Sequence, residues 1–112
     1  LKVADLETAL AATGPRYDLI LAADTLVYLG DLGQVFEGAR NRLSSNGYFL
    51  FTVEKSEGTG FELGPKRRWR HGEAYLRELA TRSGFDMAGL VAAVPRHEAN
   101  QPVDGFAVAL VR

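Results

Sequence analysis

The residues best suited to chemistry fall in a few places. The run Lys66-Arg67-Arg68-Trp69-Arg70-His71 gathers cationic groups around the only tryptophan of the chain. Guanidinium groups pair with acidic ligand groups, and an indole stacks on planar ones. An imidazole that titrates near neutrality can serve as a general base. The same run reads equally as a solvated basic face with a histidine capping the following helix. A second place is Ala22-Ala23-Asp24, closing an apolar segment that begins at Tyr17. Small residues there let a ligand approach the carboxyl end of a parallel strand, although close helix packing also selects small residues. Tyr28 follows in the same turn, with a hydroxyl that faces a ligand or a ring that covers the core. His97 stands beside Glu98 without a third ligand at metal spacing, so no metal site is expected.

Composition narrows the classes. The 112 residues carry a formal charge of -1, with 46% hydrophobic and 24% charged residues, the balance of one soluble globular domain. That charge gives no general attraction to nucleic acid or to an anionic membrane. With no cysteine, disulfides and thiolate metal sites are excluded, which fits a cytoplasmic location. The longest apolar run is broken by Asp24 and is too short to span a bilayer. The start, Leu1-Lys2-Val3-Ala4-Asp5, has no initiator Met and no signal-peptide pattern, and it reads as a cut end.

The elements that must position these residues follow from periodicity. Ala4 to Ala12 reads as a short helix or a loop with a helical turn, and Gly14-Pro15 punctuates the chain after it. Tyr17 to Ala23 is nearly continuous in apolar residues, as in a strand covered by helices on both faces. Asp31 can cap a helix with Leu32, Val35, Phe36, Ala39 and Leu43 on one face, Gln34 completing a capping box. Asn46-Gly47 supplies the left-handed conformation that ends it. Tyr48 to Val53 reads as a buried strand. Lys55 to Pro65 reads as a mobile loop excursion, rich in glycine. A second helix runs from about Gly72 to Ser83, burying Tyr75, Leu76, Leu79 and Ala80 and stopping at Gly84. Phe85 to Val94 and Gly105 to Val111 make two antiparallel strands, parted by the polar stretch Pro95 to Asp104. The order gives an α/β fold: parallel strands with helical crossovers, then a final antiparallel hairpin.

Three stretches carry a family resemblance. They are Arg16-Tyr-Asp-Leu-Ile-Leu-Ala-Ala-Asp-Thr-Leu-Val-Tyr-Leu-Gly-Asp31, Ala39-Arg-Asn-Arg-Leu-Ser-Ser-Asn-Gly-Tyr-Phe-Leu-Phe-Thr-Val-Glu54 and Ala74-Tyr-Leu-Arg-Glu-Leu-Ala-Thr-Arg-Ser-Gly-Phe85. In this order they resemble the carboxyl-terminal half of class I, S-adenosylmethionine-dependent methyltransferases that act on small molecules. The resemblance implies a partial Rossmann-like methyltransferase sheet as one partial domain over residues 1–112. It implies S-adenosylmethionine as cofactor and a small-molecule methyl acceptor. Asp5, where the family places an acid that bonds the adenine amine, would contact the cofactor with Leu6, Ala22, Ala23 and Asp24. Tyr28, Trp69, Arg70 and His71 would face the acceptor. Asp5 reads alternatively as a solvated acid or helix cap. The family's glycine-rich loop after its first strand is missing from the sequence, and Gly58-Thr-Gly60 stands in the wrong place to replace it. Activity is therefore expected of a longer chain, with this piece inactive alone. The competing reading is a non-catalytic methyltransferase-like module; a third, half of a nicotinamide-dependent oxidoreductase, fits the Gly-Phe turn and terminal hairpin less well. The sheet edge left open near Tyr17 to Ala23 is expected to be covered, either by a second copy or by the early segment of the chain.

Overall fold

The computed structural model describes residues 16–23, 25–64, 67–98 and 100–112. The elements run β1 (Tyr17–Ala22), a 3-10 turn (Leu26–Tyr28), α1 (Gly33–Arg42), β2 (Leu43–Lys55), β3 (Phe61–Leu63), β4 (Trp69–His71), α2 (Glu73–Arg82), β5 (Asp86–Glu98) and β6 (Gln101–Val111). The expected helix at Ala4 to Ala12 lies outside the described residues.

All six strands join one sheet in the order β3-β4-β2-β6-β5, with β1 also beside β2. β1 and β4 both run parallel to β2, so the carboxyl ends of these three strands point the same way. β6 is antiparallel to β2 and forms a hairpin with β5. The alternating α/β start and antiparallel finish thus stand as the sequence implies.

Alternation along the strands decides what is buried. Ile20 and Ala22, Phe49, Phe51 and Val53, and Phe106, Val108 and Leu110 all point into one core, where they meet Val35, Phe36 and Ala39 of α1 and Leu76, Leu79 and Ala80 of α2. Phe36 sits at its centre, with ring centroids 5.9, 5.5 and 6.2 Å from those of Phe49, Phe51 and Phe85. Both helices therefore lie on one face of the sheet.

The other face is bare among the described residues, which corrects the expectation that β1 is covered on both sides. Leu19 and Leu21 are 54% and 67% exposed, and Val91 is 61% exposed. In register, Leu21, Leu50, Ala109 and Gly89 form one row across four strands, and Thr52, Ala107 and Val91 form the next. These residues line an apolar groove of about 310 Å³.

Four further expectations are revised. α1 begins at Gly33 with Leu32 at the N-cap position, and no side chain caps it there. Asp31 accepts from the Gly33 amide instead (2.9 Å), so the carboxylate serves one residue earlier than a capping box requires. The left-handed residue is Asn46 (φ 66°), but it lies after the helix, which ends at Arg42. The stretch from Lys55 to Pro65 is not simply a loop: Phe61 to Leu63 pairs antiparallel with Trp69 to His71. Its backbone packs against Gly72, whose amide donates to Gly60 O (2.8 Å) and on which a Cβ would meet Gly58 O at 2.2 Å. The polar stretch from Pro95 to Asp104 continues both strands of the hairpin up to its turn. α2 falls within one residue of its expected ends, with Gly84 left-handed (φ 83°) where a C-terminal stop is needed.

Candidate functional site at the carboxyl ends of the parallel strands

The penultimate residue of β2 is Glu54, a carboxylate only 2% exposed. A lone buried charge is costly, and here Arg68, itself 8% exposed, donates its Nε to Glu54 Oε2. A second arm of the same guanidinium, Nη1, donates to the Tyr28 hydroxyl at 3.1 Å. The guanidinium carbon also stands 5.4 Å from the Tyr28 ring centroid. Tyr28 comes from the turn after β1 and remains 53% exposed. One arginine therefore ties the end of β2 to the turn after β1.

The β3–β4 ribbon beside this pair has two unlike faces. Register sets Phe61 opposite His71 and Leu63 opposite Trp69, while Glu62 stands opposite Arg70. Cross-strand partners share a face, so Phe61, Leu63, Trp69 and His71 lie on one side and Glu62 and Arg70 on the other. The first side is an aromatic array: Phe61 lies 5.7 Å from Trp69 and 5.2 Å from Tyr75, and His71 stacks on Tyr75 at 6.0 Å. A Cβ on Gly30 would come within 3.1 Å of both Phe61 and Trp69, so the segment from Tyr28 to Leu32 passes directly over these rings. On the polar side, Ser56 donates to Glu62 Oε1 (3.1 Å).

His71 and Tyr75 pin that segment. His71 is fully buried, and its Nε2 lies 3.0 Å from Gly30 O. A carbonyl only accepts, so Nε2 carries the proton and Nδ1 holds the lone pair, which is buried with no partner among the described residues. Burial pushes the His71 pKa below its usual value, against the opposing effect of the backbone carbonyls of Gly30 and Leu29. Tyr75 accepts from the Leu32 amide (2.8 Å) and donates to Asp31 (3.4 Å). Burial raises its pKa first, the Leu32 amide opposing.

The residues singled out from the sequence are thus dispersed. Asp5, Leu6 and Asp24 lie outside the described residues. Ala22 is buried in β1, and Ala23 is exposed and lines the apolar groove. Tyr28 stands at the Arg68 pair. Trp69 is half-buried against Phe61, but alternation sends Arg70 to the opposite face. His71 is sealed beneath the turn, so its position suits holding Gly30 and not taking a proton from a ligand. The Glu54–Arg68 pair was missed in the sequence reading. Its only signal was a glutamate closing an otherwise apolar buried strand.

No protein-family profile matches the sequence, and no functionally curated protein matches it by sequence. Solved structures do match. The 1,6-didemethyltoxoflavin-N1-methyltransferase of Burkholderia thailandensis, solved with 1,6-didemethyltoxoflavin and S-adenosylhomocysteine bound, superposes with a TM-score of 0.72 at 16% identity, over 92% of this chain and 47% of that one. An S-adenosylmethionine-dependent methyltransferase from Methanosarcina mazei gives 0.69 at 12% identity, over 92% and 64%. The magnesium protoporphyrin IX methyltransferase of Synechocystis PCC 6803, with S-adenosylmethionine bound, gives 0.63 at 18% identity, over 92% and 42%. The chain thus has the fold of part of a class I methyltransferase and spans from less than half to about two thirds of the length of these structures.

Proposed function

We propose that this chain forms the acceptor-side wall, and part of the cofactor-side wall, of an S-adenosylmethionine-dependent methyltransferase that acts on a small molecule. In this reading the glycine-rich cofactor loop belongs to polypeptide outside this sequence. The observation that carries it is the superposition on methyltransferases over 92% of the chain, with the Tyr28–Arg68–Glu54 cluster at the strand ends where open α/β sheets bind ligands.

The residues present suit that cofactor. Small side chains at Ala22 and Ala23 allow close approach at the end of β1, and Asp5, Leu6 and Asp24 complete the proposed contact set. When bound, the cofactor supplies an electrophilic methyl group on a sulfonium, and its leaving group departs neutral. What the chain must add is alignment and exclusion of water. Tyr28, held by Arg68, orients the acceptor, while Trp69 and Phe61 close one side with aromatic surface. A dedicated base is not required, consistent with His71 being sealed away.

Calorimetry of the full-length protein carrying this chain, titrated with S-adenosylmethionine, tests the reading. Saturable binding at micromolar concentration is expected. An absence of binding heat would favour the second reading, a non-catalytic methyltransferase-like interaction module, which the apolar sheet face left uncovered among the described residues supports.

A further inference from the structure

A guanidinium has five N–H donors and no acceptor. In the 3.1 Å contact between Arg68 Nη1 and the Tyr28 hydroxyl, the phenolic oxygen must therefore be the acceptor. The hydroxyl's own hydrogen is left to point elsewhere, and no acceptor among the described residues takes it. Tyr28 is half exposed, so that donor faces the open side of the site. Arg68 is held in this orientation by its buried ion pair with Glu54 at the end of β2.

We infer that Arg68 is a positioning residue that commits Tyr28 to donate its hydroxyl hydrogen to the ligand. The ligand is then gripped through a lone pair on a neutral or anionic oxygen or nitrogen, such as a carbonyl, carboxylate or ring nitrogen. An ammonium has no lone pair to take that hydrogen, and the Arg68 charge beside the remaining phenolic lone pair opposes its approach. Exposed Phe61 and half-buried Trp69, stacked edge to face at 5.7 Å, provide apolar surface nearby for a planar ring. This rests on the proposal that Tyr28 lines the acceptor site, and it adds the class of group recognised there.

Benzoate and benzylammonium at neutral pH are matched probes that differ in this property, and Trp69, the only tryptophan, reports their binding by fluorescence. Benzoate should saturate the signal and benzylammonium should bind more weakly. Tyr28→Phe should weaken benzoate by about fivefold, the size of one net hydrogen bond. The double replacement Glu54→Leu with Arg68→Met removes both members of the ion pair together, and it should cost benzoate the same factor. Adding Tyr28→Phe to it should cost nothing more, because both changes delete one interaction. Circular dichroism checks that the double variant folds. If it does not, Arg68→Lys keeps a charge opposite Glu54 without the second donor arm and should weaken benzoate likewise.

Benzoate affinity unchanged in the folded double variant, or in Arg68→Lys, overturns the positioning role while leaving the acceptor-site reading standing, provided Tyr28→Phe still weakens binding. Equal binding of the two probes, each lost with Tyr28→Phe, overturns the lone-pair requirement alone. No effect of Tyr28→Phe, or no benzoate binding at all, removes Tyr28 from the acceptor site and this inference with it.

Discussion

Acidifying the protein below about pH 6.5, where an unburied histidine gains its proton, should weaken it through His71. The folded state holds this imidazole neutral: it is fully buried, Nε2 already donates to Gly30 O, and Nδ1 has no partner to share a charge with. Its pKa is depressed on folding, so above the unfolded value neither state is protonated and nothing is lost. As pH falls below that value the unfolded chain takes up a proton that the folded chain refuses. Stability should then fall by up to about 1.4 kcal/mol per pH unit, levelling off only below the depressed folded pKa. Urea unfolding at half-unit steps through this range measures the slope. His71→Gln keeps an amide donor that can reach Gly30 O and does not titrate, so its profile should be flatter by about one proton. Because folded His71 stays neutral over this range, the native tryptophan emission should stay constant while the stability falls. An identical slope in wild type and His71→Gln would refute the reasoning.

Phe36→Ala, at the meeting point of Phe49, Phe51 and Phe85, should cost about 3–5 kcal/mol by urea titration, enough to unfold a marginal domain. Gly72→Ala places a methyl group 2.2 Å from Gly58 O, and the backbone shift should lower stability by about 1–3 kcal/mol in the same assay. Arg77→Ala breaks only an exposed (i, i+4) pair with Glu73 and should change stability by less than about 0.5 kcal/mol, a control for the other measurements.

The parts of the fold that were legible in the sequence are those with long, regular patterns. α1 showed through the spacing of Leu32, Val35, Phe36 and Ala39, and α2 through Leu76, Leu79 and Ala80 with a glycine stop, because burial of one helical face demands that spacing. β3 and β4 stayed hidden because three residues are too few to display a period, and their pairing depends on glycines that pack against Gly72. The candidate site was less readable still. Trp69, Arg70 and His71 are neighbours in sequence, yet a strand sends neighbours to opposite faces, so a contiguous trio was the wrong unit. Glu54 and Arg68 lie 14 residues apart in segments with no shared pattern, and only the parallel return of β4 beside β2 brings them together.

Strand β1 obeys two masters in alternate letters. Ile20 and Ala22 are 8% and 3% exposed and answer to the core of this chain, so enlarging or polarising either should register at once as lost stability. Leu19 and Leu21 answer to nothing that the described residues contain, although they are as apolar as the core. Substituting them by serine should leave the melting of this chain nearly untouched while changing its solubility and its company. A mutational scan along these few positions would therefore beat with a period of two, and the odd beats would read out a surface that the described residues leave uncovered.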